Sequence, residues 1–278
     1  AGVVNVILNL FFVIVCHLGV AGVALASMIS QFISAFLILR ALLTGKEKYC
    51  LRLSEIRFDK RKAVGILQIG IPSAFQYSLF AFANLFVQSS VNSFDHVLVE
   101  GNSAAANADP LVYDMMAAFY TACSSFIAQN FGARKKKRIL QTYLICLFYS
   151  FITSLVLGVG IYLARYPFLY LFTSDKAVVE AGITRLSIMA LSYSASAFMD
   201  ASIAASRGLG KTAVPTFVVV MGSCVFRIIW IYTIFAYFHT IQSLYILYVF
   251  SWGITAIAEN IYFFHVYRHT LTEKKELC

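Results

Sequence analysis

Four carboxylates lie within stretches of this sequence that otherwise have the composition of membrane helices: Asp109, Asp114, Asp200 and Glu259. An ionisable group near the centre of a bilayer is unfavourable by about 3 kcal/mol or more, so it usually faces a cavity or a partner. A buried carboxylate can be neutralised by a proton or by Na⁺, and an organic cation can compete for the same place. These residues are therefore candidates for ion coupling and cation binding, and a transient Na⁺ at Asp200 or Asp114 is the only metal expected.

Asp109 has two interpretations because it directly precedes Pro110. In the first, Asp109 is the N-cap of a helix whose first residue is the proline. In the second, the helix begins near Ser103 and kinks at Pro110, which frees the carbonyl of Ala106 toward a cavity. Asp114 follows one turn later on about the same face as Pro110, and it suits either a functional role or a structural hydrogen bond.

The other charged residues inside the predicted spans also have alternatives. Asp200 is predicted to line a cavity, or else to form a structural pair with Arg227. Arg227 lies deep in its segment and needs a partner or a wet cavity, whereas Arg185 is expected to lie near the outer end of its span and reach the interface. Glu259 is predicted to be structural, paired with His265 or with a lysine of the tail.

Uncharged side chains add to this set. Gln76 and Asn84 are eight residues apart, so on a helix they share a face with Pro72 and Phe80. They are suited to bind a polar group of a substrate or to link helices. Tyr113 is the aromatic candidate for holding an organic cation through its ring.

The composition defines the class of protein to which these residues belong. Hydrophobic residues make up 60% of the chain and charged residues 13%, and the mean hydropathy is +0.78, which excludes an ordinary soluble domain. The apolar runs are too long and too weakly alternating for barrel strands, so the fold is predicted to be all-α. The net charge of +9 comes from short basic clusters between these runs, which favours membrane topology over nucleic-acid binding. The sequence has no phosphate loop, HExxH or nucleophile elbow, so no enzymatic activity is expected.

The pattern predicts about eight membrane helices. They cover residues 1–16, 20–43, 64–94, 103–131, 139–164, 183–205, 213–238 and 243–267. The first two form a helical hairpin, and the charged stretch 44–62 is predicted to lie partly on the membrane surface. Alternating sides places 18 of the 22 Lys and Arg residues on one face, which the positive-inside rule assigns to the cytoplasm together with the C-terminus.

Four short sequences resemble the multidrug and toxic compound extrusion (MATE) transporters. They are LGVAGVALASMISQ at 18–31, IGIPSAFQ at 69–76, QNFGAR at 129–134 and RGLGKTAVP at 207–215. They look like the family's sixth helix, the start of its seventh, the cytoplasmic end of its eighth and its tenth-to-eleventh loop. Each is weak alone, but their order and their positions in the predicted spans make the set specific.

The resemblance implies a fold of twelve helices in two lobes, of which this chain carries helices five to twelve. Residues 1–43 then form the last two helices of the N-terminal lobe, and 44–62 form the cytoplasmic linker between the lobes. Residues 63–268 form the complete C-terminal six-helix lobe, and 269–278 form a cytoplasmic tail. The expected partners are the lipid bilayer and the missing N-terminal helices, which complete a monomer.

The resemblance also implies a function. Family members export amphipathic organic cations or metabolites in exchange for Na⁺ or H⁺, by alternating access between the lobes. The implied location is the plasma membrane, in bacteria the inner membrane, and no cofactor is expected beyond the coupling ion. One branch has a glutamate where this chain has Phe80, and another uses an aspartate on the first helix, which lies outside this sequence.

Two other functions fit the same resemblance: a flippase for lipid-linked oligosaccharides, from the same broader exporter group, and a remnant that does not transport. A flippase is expected to line its cavity with several cationic residues that bind a pyrophosphate. Only Arg227 is predicted to lie deep in this chain, which favours the antiporter.

Overall fold

A computed structural model of the chain describes residues 2–44 and 51–269. Within these ranges the chain is helical almost throughout, and they contain no strand. Seven of the helices are long and apolar enough to cross a membrane, and the apolar helix Gly2–Val15 is shorter. The all-α, multi-pass prediction is therefore confirmed, although the first of the eight predicted segments is shorter than a span. The chain divides into two compact units, Ala1–Ala63 and Val64–Cys278.

The first unit contains a helical hairpin, as predicted. Helix α1 (Gly2–Leu10) continues as a π-helical segment to Val15, and α2 (Gly19–Thr44) returns beside it. The Asn5 side-chain amide donates hydrogen bonds to the hydroxyls of Ser27 at 3.3 Å and Ser30 at 3.4 Å. These bonds join the two helices of the hairpin.

The predicted linker 44–62 lies partly outside the described residues, so its placement on the membrane surface stays a prediction. Its last three residues are helical, because α3 (Lys60–Val91) begins at Lys60. The Asp59 carboxylate accepts hydrogen bonds from the backbone N–H groups of Arg61 at 2.9 Å and Lys62 at 3.2 Å. Asp59 therefore acts as an N-cap that starts α3 earlier than the apolar pattern indicated.

The helices after α3 alternate between long spans and short connecting helices. They are α4 (His96–Ala106), α5 (Ala108–Gly132), α6 (Lys136–Leu163), α7 (Arg165–Tyr170), α8 (Lys176–Gly208), α9 (Ala213–Val219), α10 (Phe226–Trp230), α11 (Ala236–Phe238) and α12 (Ile241–His269). The span Ala213–Phe238 agrees with the predicted bounds and contains α9, α10 and α11, joined by the π-helical segments Val220–Val225 and Ile231–Phe235.

Helix α8 is the most buried span and packs against α4, α5, α6 and α12. Small residues allow this close approach. A Cβ atom at Gly158 of α6 would lie 2.0 Å from the carbonyl oxygen of Ala190 in α8, and a Cβ atom at Gly101 of α4 would lie 2.7 Å from the Cβ atom of Ala181. In a bilayer such contacts between small residues replace the hydrophobic effect as the source of helix association.

The span around Pro110 differs from both sequence interpretations. The helix begins at His96, where the Asp95 carboxylate accepts a hydrogen bond from Leu98 N at 3.2 Å, and not near Ser103. It is interrupted at Asn107, so α5 begins at Ala108 and Asp109 is its second residue. Asp109 is therefore not an N-cap, and its carboxylate is available for contacts with other helices.

Candidate functional site

A cavity of about 640 Å³ lies inside the second unit. Its walls come from α3, α4, α5, α8, the span Ala213–Phe238 and α12, so residues far apart in sequence meet there. Seven of its lining side chains are aromatic, namely Tyr77, Phe80, Tyr113, Tyr120, Tyr245, Tyr248 and Trp252. A largely apolar cavity of this size, with several aromatic side chains and a few polar groups, is typical of small-molecule sites.

Helix α8 carries three of the five charged residues of the cavity along one stripe. Arg185, Met189, Asp200, Ile203 and Arg207 all line it, at spacings that are close to multiples of 3.6 residues. At 1.5 Å per residue, the stripe from Arg185 to Arg207 is about 33 Å long. The polar groups of the cavity therefore lie at three depths: near Arg185, near Arg227 and near Arg207.

At the first depth, Arg185 and Asp109 form a largely buried ion pair. Arg185 Nη2 donates to Asp109 Oδ2 at 2.6 Å, and Nη1 donates to Asn102 Oδ1 at 2.7 Å. The Tyr193 hydroxyl donates to the other oxygen of Asp109, and the Tyr245 hydroxyl donates to Asn102 at 3.3 Å. The prediction that Arg185 reaches the membrane interface is wrong, because α8 begins at Lys176 and this arginine lies well inside it.

At the second depth stands Arg227, whose side chain is fully buried. Its Nη1 donates to Asn84 Oδ1 at 2.8 Å, and its Nε donates to the Ser251 hydroxyl at 3.3 Å. The rings of Phe80 and Tyr248 lie 4.6 Å and 4.5 Å from the guanidinium carbon, in cation–π contact. The proposed pairing of Arg227 with Asp200 does not occur.

At the third depth, Arg207 holds two helices together. It donates to the Tyr120 hydroxyl from Nη1 and to Gln76 Oε1 from Nη2, both at 2.7 Å. The sequence pattern placed Arg207 in a basic loop, but it belongs to the last turn of α8 and lines the cavity. Asp200 also lines the cavity and has no hydrogen bond to any described residue, and Arg207 is the nearby cation whose charge acts on it.

The structure brings most of the predicted site residues together. Gln76, Asn84, Asp109, Tyr113, Asp200 and Arg227 line the cavity. Gln76 and Asn84 share a face with Phe80 as predicted, and each bonds an arginine of another helix, so the helix-linking alternative describes them. Tyr113 stacks edge-on against Tyr193 and Trp252, with ring centroids 5.7 Å and 6.2 Å apart.

Two predicted residues lie elsewhere. Asp114 is exposed on α5 and does not line the cavity. Glu259 is fully buried in α12 outside the cavity lining, and neither of its oxygens has a hydrogen-bond partner among the described residues. The expected pairing of Glu259 with His265 is not found there, and the alternative partner, a lysine of the tail, lies outside the described residues. No group of three or more His, Cys, Asp or Glu side chains suited to a metal occurs in 2–44 and 51–269.

The charge balance of the cavity corrects one argument from the sequence. Three arginines, Arg185, Arg207 and Arg227, face two aspartates, Asp109 and Asp200. The expectation that only Arg227 lies deep is wrong. The argument that too few cations line the cavity to bind an anionic ligand is therefore also wrong. The 22-residue separation of Arg185 and Arg207, close to six helical turns, is the signal that would have placed both on one face.

Seven membrane-length helices, five of which line an internal cavity, define a multi-pass membrane protein with an internal site of small-molecule size. Residues 72–233, more than half of the chain, match the MatE family. The chain belongs to this family, as the resemblance implied.

Several known proteins are similar to this chain. It is 24% identical over 204 residues to the probable multidrug resistance protein NorM of Thermotoga maritima, covering 72% of this chain and 43% of NorM. It is 26% identical over 181 residues to the probable multidrug resistance protein YoeA of Bacillus subtilis, covering 63% and 39%. A solved MOP superfamily transporter from Pyrococcus furiosus shares the fold, with a TM-score of 0.87 at 20% identity over 97% of this chain and 61% of that one. The chain therefore spans less than half of these curated relatives.

Proposed function

We propose that this chain is part of a secondary active exporter that moves amphipathic organic solutes out of the cell in exchange for Na⁺ or H⁺. The observation that carries the proposal is the cavity, which combines aromatic walls with Asp200, a carboxylate with no hydrogen-bond partner among the described residues. Ion coupling requires a carboxylate that is free to bind a proton or Na⁺ in a cavity large enough for the solute. Export of organic solutes is supported by the similarity to NorM and YoeA, which are probable multidrug resistance proteins.

Asp200 is the coupling residue in this proposal. A bound proton or Na⁺ neutralises the carboxylate and changes the charge that Arg207 faces, and Arg207 bonds Gln76 of α3 and Tyr120 of α5. Occupancy of Asp200 is thereby linked to the contacts that join α3 to the rest of the unit. Coupling requires that ion and solute bind the inward-open and outward-open states with different affinities, and this link supplies such a difference as the two lobes alternate.

The proposal includes an orientation and a set of partners. The basic cluster Arg134–Arg138 and the chain end after His269 face the cytoplasm, because positive residues are retained on that side of the plasma membrane. The complete exporter is a monomer in which the two helices of residues 1–43 belong to the N-terminal lobe, 44–62 is the linker and 63–268 is the C-terminal lobe. The coupling ion is its only cofactor.

Efflux of fluorescent dyes from cells tests this function. The chain is expressed alone and, in parallel, preceded by the four N-terminal helices of a relative, and efflux is followed with and without a Na⁺ gradient or a pH gradient. The proposal predicts gradient-dependent efflux in the extended form. Efflux that does not depend on either gradient would overturn the antiport mechanism. Absence of efflux in both forms would favour a remnant that does not transport.

A second candidate is the flippase for lipid-linked oligosaccharides, and the three cavity arginines favour it where the sequence alone did not. A fluorescent polyprenyl pyrophosphate-linked sugar in reconstituted vesicles distinguishes the two functions. Translocation of this lipid without dye efflux would replace the antiporter by the flippase.

A further inference from the structure

Arg227 lies near the middle of its span, and no described carboxylate forms an ion pair with it. Its neutral partners, Asn84 and Ser251, use Nη1 and Nε, while Nη2 is buried and has no hydrogen-bond partner. A buried guanidinium that lacks a counter-ion is strongly unfavourable, so its position inside a cavity calls for an anion from outside the chain.

The other two arginines of the cavity differ from Arg227. Arg185 is neutralised by Asp109 at 2.6 Å. Arg207 has the cavity carboxylate Asp200 nearby on the same helix, and it donates hydrogen bonds to Tyr120 and Gln76. The titratable side chains near Arg227 are Tyr248, Tyr113 and Cys224, none of which is a carboxylate. Positive charge is therefore left uncompensated at one place along the cavity.

The surroundings of Arg227 define the rest of the ligand. The rings of Phe80 and Tyr248 contact the Arg227 guanidinium, and Tyr113 and Trp252 line the same part of the cavity. The planar guanidinium donates in its own plane, which matches the paired oxygens of a carboxylate, sulfonate or phosphate. The aromatic walls favour an apolar or aromatic body attached to that group.

The local backbone also marks this place. Arg227 belongs to the single α-helical turn Phe226–Trp230 between two π-helical segments, and Gly222 in the first of these accepts a hydrogen bond from Ser251 at 3.3 Å through its carbonyl. A Cβ atom at Gly222 would lie 2.5 Å from Thr255 Oγ1, so α12 packs closely here. Segments of π-helix inside helices are frequent at functional sites, because they redirect a side chain without ending the helix.

We infer that Arg227 is a binding site for the oxyanion of a small amphipathic organic anion whose apolar body packs against Phe80, Tyr248 and Trp252. The inference rests on the proposed function for its biological use, since it names a class of solute for the exporter. The binding itself needs no transport.

The test is calorimetric titration of the purified chain in zwitterionic nanodiscs with three probes. They are naphthalene-1-sulfonate, 1-naphthylmethylammonium, which has the same ring and the opposite charge, and inorganic sulfate, which has no ring. We expect saturable binding of the sulfonate and weaker binding of the other two by about tenfold or more. Tighter binding of the ammonium probe would overturn the anion site, and equal binding of inorganic sulfate would overturn the aromatic part.

Three variants assign the binding to Arg227. Asn84→Asp keeps the arginine and the shape but places a carboxylate beside Nη1, so the sulfonate affinity should fall by about tenfold or more, as it should in Arg227→Gln. Arg165→Gln removes an arginine outside the cavity and should leave binding unchanged. Circular dichroism and gel filtration verify folding, and Asn84→Asp keeps the test valid where Arg227→Gln does not fold. Unchanged affinity in Asn84→Asp contradicts the assignment.

Because these titrations are made without an ion gradient, the two proposals fail separately. Absence of sulfonate binding leaves gradient-dependent efflux of other dyes intact. Loss of all gradient dependence with intact sulfonate binding overturns the export mechanism and leaves the anion site.

Discussion

Asp109 of α5 accepts a 2.6 Å hydrogen bond from Arg185 of α8. Asp109 lies two residues after the break at Asn107 between α4 and α5. The break directs the start of α5 so that the carboxylate faces α8 rather than capping its own helix. The pair is joined to Asn102, Tyr193 and Tyr245, so four helical elements meet at one charged contact. Such a network fixes the relative placement of helices more firmly than apolar contacts do.

Replacing Asp109 by asparagine should destabilise the protein, because it leaves Arg185 buried without its counter-ion. We expect a loss of about 3 kcal/mol in the free energy of unfolding, measured by thermal or denaturant unfolding in detergent. Adding Arg185→Gln should recover part of this loss, since both charges are then absent. Glu100→Gln, at an exposed carboxylate, is the control, and equal losses in the single and double variants would argue against the ion pair as the cause.

Replacing Asp200 by asparagine should uncouple transport from the ion gradient. The amide keeps the size of the side chain but cannot bind a proton or be neutralised by Na⁺, so the effect of a gradient on dye efflux should fall by about tenfold. Asp114→Asn is the matched control, since Asp114 lies in a span but outside the cavity. Unchanged gradient dependence in Asp200→Asn would remove this residue from the coupling mechanism.

Replacing Glu259 by glutamine should not lower the free energy of unfolding, and we expect an increase of up to about 1 kcal/mol. The carboxylate is fully buried and has no hydrogen-bond partner in the described part of the chain. Only its ionised form carries the penalty of an unpartnered buried charge, so the advantage of glutamine should be larger at pH 9 than at pH 5. Unfolding of both proteins at the two pH values measures it, and a clear loss of stability at pH 9 would show that the charge of Glu259 is needed.

Replacing Gly158 by alanine should separate α6 from α8. The added Cβ atom would lie 2.0 Å from the Ala190 carbonyl oxygen, a contact that the backbone cannot relieve without moving. We expect a loss of about 1–3 kcal/mol in the free energy of unfolding. Gly160→Ala is the matched control two residues away, because nothing lies within 4 Å of its added atom. Similar stabilities of the two variants would contradict the close packing.

The sequence by itself determined the class of protein and the helical framework. Apolar segments, basic clusters and the family's short sequences are properties of contiguous residues, so they are legible without any knowledge of packing. The hairpin of α1 and α2 and the span Ala213–Phe238 were predicted in this way. Asn84 and Gln76 were placed on one face because helical periodicity alone fixes that relationship.

The tertiary structure alone decided which charges meet. Arg185 reaches Asp109 across 76 residues, and Arg227 reaches Asn84 across 143. The depth of a residue can be predicted from the sequence only if the first residue of its helix is predicted correctly. Helix α8 begins after the N-cap Asp175, seven residues before the predicted start at residue 183, so Arg185 lies deeper than predicted. Partners are set by how helices rotate against one another, which depends on small residues such as Gly158 and on the break at Asn107. The sequence predicted one deep arginine, whereas the tertiary structure places three in the cavity. Among these three, Arg227 is the one that has no described carboxylate near it.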